Sequence, residues 1–220
     1  LDIWKEIRWK KLLTNINTYS GFCSYVFVSR ETYEKLCIFY KTLMKWQNSI
    51  NLISKNSIKN IWERHFLDSA QLYKYVKDIN GNILDFGSGA GFPGLVLAIM
   101  GKKNIHLVES DYKKCVFLNE IAMLTDINIT IHNCKIENLN FFNVDLVTCR
   151  ALAPLYKLMD YVEAFVSKSP NKNQNLPKLL FLKGKNYKNE LLQLQKDNTI
   201  HFKEYNSITD KHGKILYTEL

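Results

Sequence analysis

The sequence predicts an α/β fold in which a doubly wound, largely parallel sheet follows a small helical cap. Three observations carry that expectation. Six of the nine glycines fall between Gly81 and Gly101. Before that cluster the apolar residues repeat with a helical period. After it, short apolar runs alternate with amphipathic stretches, the pattern of parallel strands covered by helices on both faces. A chain of 220 residues suits one large domain, or one with a small appendage. At this size roughly 70–75% of the unfolded surface is buried, so no disulfide or metal staple is needed.

Residues 1–28 are poorly patterned and stay unassigned apart from a short helix expected near 2–13. Ser29 is a good N-cap, and Tyr33, Leu36, Cys37, Tyr40, Leu43 and Met44 then follow the spacing of one helix face. A second helix is expected after Ser57, with Ile58, Ile61, Trp62, Phe66, Ser69, Leu72, Tyr73 and Val76 on its inner side. These make the helical cap, 29–78. In the sheet domain, 79–220, strands are expected at 83–86, 105–109, 128–132, 144–149 and 179–182. Helices are expected at about 92–100, 111–124, 154–167 and 186–196. Two final strands fall at 200–205 and 214–219, and 168–178 is a polar loop. No internal repeat is present.

Composition excludes several classes. The hydrophobic fraction of 46% and charged fraction of 23% are those of an ordinary globule. Five scattered cysteines without a CxxC pair argue against a disulfide framework or a zinc finger and for a reducing, cytoplasmic setting. No apolar run approaches the ~20 residues of a membrane helix. The opening LDIWKEIRWKKLL lacks a signal-peptide core and cleavage site. The net charge of +9 favours a polyanionic partner. However, 26 Lys, 22 Asn and 20 Ile together are also what an A/T-rich coding sequence produces. The four histidines outside the cap (His106, His132, His201, His212) have no ligand spacing, so no metal is expected.

The glycine loop runs Asp85-Phe86-Gly87-Ser88-Gly89-Ala90-Gly91-Phe92-Pro93-Gly94, at the end of the first strand. No lysine follows Gly94, so it is not a P-loop. Gly89-Ala90-Gly91-Phe92-Pro93-Gly94 satisfies GxGxxG, and Glu109 lies where a ribose-binding acid would sit, which keeps a nicotinamide cofactor among the readings. The strand ends in Asp85 rather than running straight into that pattern, and Pro93 offers no N–H to a pyrophosphate. The alternative, D-x-G-x-G-x-G, resembles the S-adenosylmethionine loop of class I methyltransferases with a Rossmann-like sheet. That cofactor carries cations instead of phosphates, so an acid at the strand end is useful. The resemblance implies that Asp85 orients the loop and the methionyl ammonium. Gly87, Ser88, Gly89 and Gly91 would make room for the methionine part, and Glu109 would accept both ribose hydroxyls.

With Trp62-Glu63-Arg64-His65-Phe66-Leu67-Asp68-Ser69 upstream and Cys149-Arg150-Ala151-Leu152-Ala153-Pro154 downstream, the chain resembles the bacterial RsmG (glucose-inhibited division protein B) family. Lys45-Trp46-Gln47-Asn48, Asn51-Leu52 and Leu182-Lys183-Gly184 add to the match, which runs from about Val28 to the C-terminus. The family methylates N7 of a guanine in 16S ribosomal RNA. The resemblance implies cofactor contacts at Gly87, Phe92, Ile136, Glu137 and Arg150. It also implies a substrate that is ribosomal RNA or a small-subunit particle, and Arg150, Arg64 and His65 at the reaction site. Arg64 and His65 are RNA contacts on this reading; on the plainer one Arg64 pairs with Asp68 on the helix surface and His65 packs. Lys183, Lys185 and Lys188 either meet phosphate or form a solvated face. Cys149 stands where the family has Ser or Thr, and a buried cysteine at a strand end is usually inert. Trp46 and Trp62 are expected to pack. A monomer is expected, with no membrane and no metal. The rival reading is an RNA-binding or ribosome-assembly protein that keeps the cofactor pocket without turnover.

Overall fold

A computed structural model describes residues 16–171, 176–194 and 200–218. The helix expected near 2–13 lies outside them, as do the middle of the polar loop and the last residues of the helix expected to end at 196.

After a short α1 (Tyr19–Cys23), Ser29 opens α2 (Arg30–Trp46), its hydroxyl accepting the Thr32 N–H at 3.0 Å. Leu36, Phe39 and Leu43 are fully buried, whereas Cys37, Tyr40 and Met44 are half-buried. Phe39, absent from the expected series, sits on the same face between Leu36 and Leu43 and packs against aromatic rings. It stacks on Phe92 at 5.0 Å and meets Phe66 edge-on at 5.1 Å. Trp62 stacks on Phe66, and the Trp46 indole N–H donates to Glu120 Oε2 at 2.8 Å.

The second helix departs from the expected single element. It starts earlier, as α3 (Lys55–Ile58) behind Ser54, and passes through a π-helical turn (Trp62–Leu67). It continues as α4 (Asp68–Ala70) and α5 (Tyr73–Val76). In the π turn the Asp68 N–H reaches back to Glu63 O. This wider turn shifts the helical phase, and single π turns of this kind recur at functional sites. Trp62, Phe66, Ser69, Leu72 and Val76 still face inward.

The sheet strands are β1 (Ile83–Phe86), β2 (Ile105–Val108), β3 (Ile129–His132), β4 (Leu146–Arg150), β5 (Lys178–Lys183), β6 (Phe202–Asn206) and β7 (Lys214–Thr218). The helices between them are α6 (Gly94–Ile99), α7 (Tyr112–Leu124), α8 (Leu155–Val166) and α9 (Tyr187–Leu194). Asp111 caps α7, accepting the Lys113 N–H at 2.8 Å. The helix expected at 92–100 is shorter because Gly91, Phe92 and Pro93 are spent in the turn.

The spatial order is β3-β2-β1-β4-β5-β7-β6, with β1 to β5 parallel and β7 antiparallel to both neighbours. The segment 207–213 between β6 and β7 is too short for a parallel crossover, so that edge reverses. Alternate strand residues feed two cores. Ile83, Ile105, Leu146 and Ile215 join the cap, α6 and α7 on one face, and Leu84, Val147, Phe181 and Leu216 join α8 and α9 on the other. Cap and sheet thus share one continuous cluster. The order reverses between β1 and β4, and the carboxyl ends of those strands are where such sheets bind ligands.

Candidate functional site

A cleft of about 1000 Å³ opens at that reversal. Its floor is the glycine loop; its walls come from the π-turn segment, the end of β4, the end of β5 and the β6–β7 turn.

Asp85 is fully buried beneath the floor, and its Oδ2 accepts the Gly94 N–H at 3.1 Å. Its Oδ1 is buried without a hydrogen-bond partner. Burial pushes its carboxyl up to about 7, against the Gly94 hydrogen bond that favours the ionised form. Glu109, at the end of β2, ties the loop from behind: Oε2 accepts the Gly89 N–H at 2.9 Å and Oε1 the Asp111 N–H at 2.8 Å. Two glycines of the loop do different work. Gly89 has φ +54°, and an added Cβ would meet only Gly87 O at 3.8 Å, so it leaves an open cradle. Gly91 has φ +87°, and a Cβ there would lie 2.3 Å from Leu95 Cδ1, so its task is packing.

Opposite the loop, Arg150 leaves β4 and reaches back to the cap. Its Nη1 donates to Arg64 O at 2.9 Å, its Nη2 lies 2.7 Å from His65 Nδ1, and Nη1 is 3.7 Å from Asp68 Oδ2. The guanidinium also sits 5.2 Å from the Phe92 ring centroid. A guanidinium only donates, so His65 Nδ1 is an acceptor and the imidazole is neutral with its proton on Nε2. Burial, then Arg150 and Arg64, pushes His65 down to about 3. Asp68 faces the Arg150 charge on one side and accepts from Gln71 Nε2, at 2.8 Å, and from the Thr209 hydroxyl on the other. Past Arg150 the backbone turns at Ala151, whose φ of +53° costs a non-glycine residue about 1–2 kcal/mol.

Gly87, Ser88, Gly89, Phe92, Arg64, His65, Arg150, Lys183 and Lys185 therefore meet at one cleft. Asp85, Gly91, Glu109, Ile136, Glu137 and Lys188 do not line it. Ile136 and Glu137 form a 3-10 turn (Ile136–Asn138) after β3, where Lys168 Nζ binds the carbonyls of Glu137 and Leu139. Two expectations need correction. Asp68 pairs with Arg150 rather than with Arg64, whose backbone carbonyl accepts from the same guanidinium. Lys183 is only 9% exposed, with Nζ 2.6 Å from Glu190 Oε2 and 2.8 Å from Ala153 O, so it is an internal brace rather than a free phosphate ligand. Glu190 in turn accepts the Leu155 N–H at 2.8 Å, capping α8. Lys185 and Lys188 are exposed. Cys149 is a buried thiol that burial pushes up to about 12. Gln71 and Thr209 carried no sequence signal, since the contact between their segments spans a separation of 138 residues.

Among the described residues no group of three His, Cys, Asp or Glu side chains could hold a metal ion, and no helix is long and apolar enough to cross a membrane.

The strand order, the switch-point cleft and the acid-glycine floor define the class: a methyltransferase-type α/β fold. Magnesium protoporphyrin IX methyltransferase from Synechocystis, crystallised with bound SAM, superposes with a TM-score of 0.58 at 14% identity over 87% of this chain and 97% of that one. Sequence narrows the class further. The family model for rRNA small subunit methyltransferase G matches residues 32–217. The enzyme of that name from Paramagnetospirillum magneticum is 42% identical over 86% of this chain and 89% of its own length. That of Orientia tsutsugamushi strain Ikeda is 43% identical over 86% and 91%. The chain belongs to the rRNA small subunit methyltransferase G family.

Proposed function

We propose that this chain transfers a methyl group from S-adenosylmethionine to N7 of a guanine in 16S ribosomal RNA, with the glycine loop as donor site and the Arg64-His65-Arg150 wall as acceptor site. The observation that carries the acceptor assignment is the protonation chemistry of that wall. His65 is neutral and resists taking a proton, Arg150 is paired, and Cys149 is held as a thiol. Such a wall suits an acceptor that brings its own lone pair. Guanine N7 is unprotonated near neutral pH, so its methylation needs neither a general base nor a covalent intermediate.

The residues fit the donor. The cradle at Gly89 has room for a ligand, and the buried, unpartnered Asp85 Oδ1 is an acceptor for a cationic group. A cation beside Asp85 would draw its carboxyl down from about 7 toward the ionised form. When bound, S-adenosylmethionine supplies an electrophilic methyl on a sulfonium. Asp85 would hold the ammonium side, Gly87, Ser88 and Gly89 the methionine part, and Glu109 the ribose. Ile136 and Glu137 would meet the adenine, with Lys168 steadying their turn. Phe92 and Arg150 complete the boundary with the acceptor. Alignment of donor and acceptor then supplies most of the acceleration, ~7–11 kcal/mol in well-oriented systems. Arg64, Lys185 and Lys188, exposed at or beside the mouth, would meet RNA phosphates.

The test is transfer of labelled methyl to small-subunit RNA, free or in particles, from cells lacking this modification, followed by nucleoside analysis. Label in 7-methylguanosine is expected. Label in another nucleoside would overturn the acceptor assignment; tight donor binding with no transfer to either substrate would favour the assembly-protein reading.

A further inference from the structure

We infer that Asp68 is the counter-charge and positioning residue of Arg150, offsetting the charge of that guanidinium so that a cationic methyl donor is accepted beside it. The inference rests on the proposed donor and goes beyond it, because Asp68 is a residue of the cap, outside the glycine loop.

Asp68 is placed for this by all of its partners. Oδ2 faces the guanidinium at 3.7 Å, and Oδ1 accepts from Gln71 Nε2 at 2.8 Å and from the Thr209 hydroxyl. Burial raises its carboxyl, and each of these donors opposes that: the Arg150 charge and the Thr209 hydrogen bond favour the ionised form. Gln71 itself is fixed by the β6–β7 turn: its Oε1 accepts the Ile208 N–H at 2.9 Å and its Nε2 lies 3.1 Å from Ser207 Oγ. The side chains of Asp68 and Arg150 are each only 17% exposed, so solvent screens the pair weakly. His65, the other partner of the guanidinium, is neutral and cannot offset its charge. Asp68 is therefore the one carboxylate paired with Arg150 within 4 Å among the described residues.

Methyl transfer makes this balance matter. The donor carries a sulfonium cation before transfer and a neutral thioether after it, while the methylated guanine gains the positive charge. An uncompensated guanidinium at the boundary would repel the donor, and would repel the cationic product as the charge arrives. The pair removes that penalty. The hydrogen bonds from Gln71 and Thr209 keep the carboxylate from swinging away, which makes the β6–β7 turn a remote support for the charge of the site.

The decisive readout is the ratio of dissociation constants for S-adenosylmethionine and S-adenosylhomocysteine, measured by calorimetry on the full chain. The two ligands differ by a methyl and a unit charge, so a purely structural lesion weakens both in parallel. In Asp68→Asn, which keeps the acceptor oxygen for Gln71 and Thr209, the ratio is expected to rise on the order of tenfold in favour of the neutral ligand. The double variant Asp68→Asn/Arg150→Gln, lacking both charges, is expected to bring the ratio back toward that of the unaltered protein. Thr209→Val, which leaves Asp68 in place and loosens it, should move the ratio the same way by a smaller factor and serves if Asp68→Asn fails to fold. An unchanged ratio in a folded Asp68→Asn protein, or in Thr209→Val if only that variant folds, overturns the inference. So does a ratio that stays shifted in the double variant. Failure of the unaltered protein to bind either ligand would instead sink the donor assignment on which the inference rests.

Discussion

The floor of the cleft and the wall that faces it are built from different kinds of contact. On the floor, Asp85 to Gly94 are contiguous in sequence, and the groups that hold them are largely backbone N–H donors paired with Asp85 and Glu109. The wall collects Arg64, His65, Asp68 and Gln71 from the cap, Arg150 from β4 and Ser207 to Thr209 from the β6–β7 turn, and joins them through side chains. A contiguous loop with backbone partners tolerates changes in remote segments. A wall of buried charges drawn from three segments depends on all of them at once, because each charge loses its compensation when a neighbour is removed.

Arg150→Ala should have the largest effect and tests the wall. It strands the Asp68 carboxylate and takes the donor from His65 Nδ1. Breaking a buried pair typically costs about 3–5 kcal/mol, and the residual exposure of both partners places the expected loss near ~3 kcal/mol. Urea unfolding measures it, and methyl transfer should fall with it. Near wild-type stability and turnover would mean that the wall is not coupled in this way.

The floor is tested by separating its two glycines. Gly91→Ala combines a left-handed backbone with a Cβ 2.3 Å from Leu95 Cδ1, for a stability loss of ~3 kcal/mol. Gly89→Ala pays only the backbone term, ~1–2 kcal/mol, but its Cβ enters the cradle, so donor affinity should drop by about tenfold or more. Equal losses of affinity in the two variants would contradict the division of labour drawn from their surroundings.

The pH dependence of stability sets floor against wall. His65 titrates at about 3 when folded and near 6.5 when unfolded, so its contribution is complete above the unfolded value and is lost as acid is added. Asp85 titrates at about 7 when folded and near 3.8 when unfolded, so its contribution is complete below the unfolded value and is lost as pH rises through about 7. Between pH 4 and 6.5 the two slopes oppose each other, each at most ~1.4 kcal/mol per pH unit. Asp85→Asn should therefore make stability climb more steeply toward neutrality, and His65→Gln should tilt it the other way. Unfolding curves at half-unit steps would reveal both; a common tilt would mean that one protonation assignment is wrong.

The smallest effect concerns the rim. Lys185→Ala should lower the slope of log affinity for RNA against log salt by up to about one, the share of one phosphate contact. Lys183→Ala should leave that slope unchanged while reducing stability, because its ammonium is committed to Glu190 and Ala153.

Much of this was legible in the chain. Ser29 and Asp111 announce their helices because a capping side chain acts on its own backbone, within three residues. The strands are legible because a sheet buried on both faces needs unbroken apolar runs. Asp85 and Glu109 could be assigned to one loop because each ends a neighbouring parallel strand. The π turn was not legible, since its apolar residues keep an inward face whether the helix is regular or widened. The Asp68 partner, the internal Lys183 and the roles of Gln71 and Thr209 were hidden for a related reason. A polar or charged side chain reads alike in sequence whether it ends in solvent or against a partner in another segment.

Sequence alone determined the class of fold, the place of the cleft and the glycine floor, because these follow from local patterns: periodicity, caps, and a short loop between a strand and a helix. Tertiary packing decided which charges meet. The π turn directs His65 and Asp68 toward Arg150, and the reversal of β7 brings Thr209 to the same point. Electrostatic balance in a buried wall depends on distances between segments that no local pattern encodes.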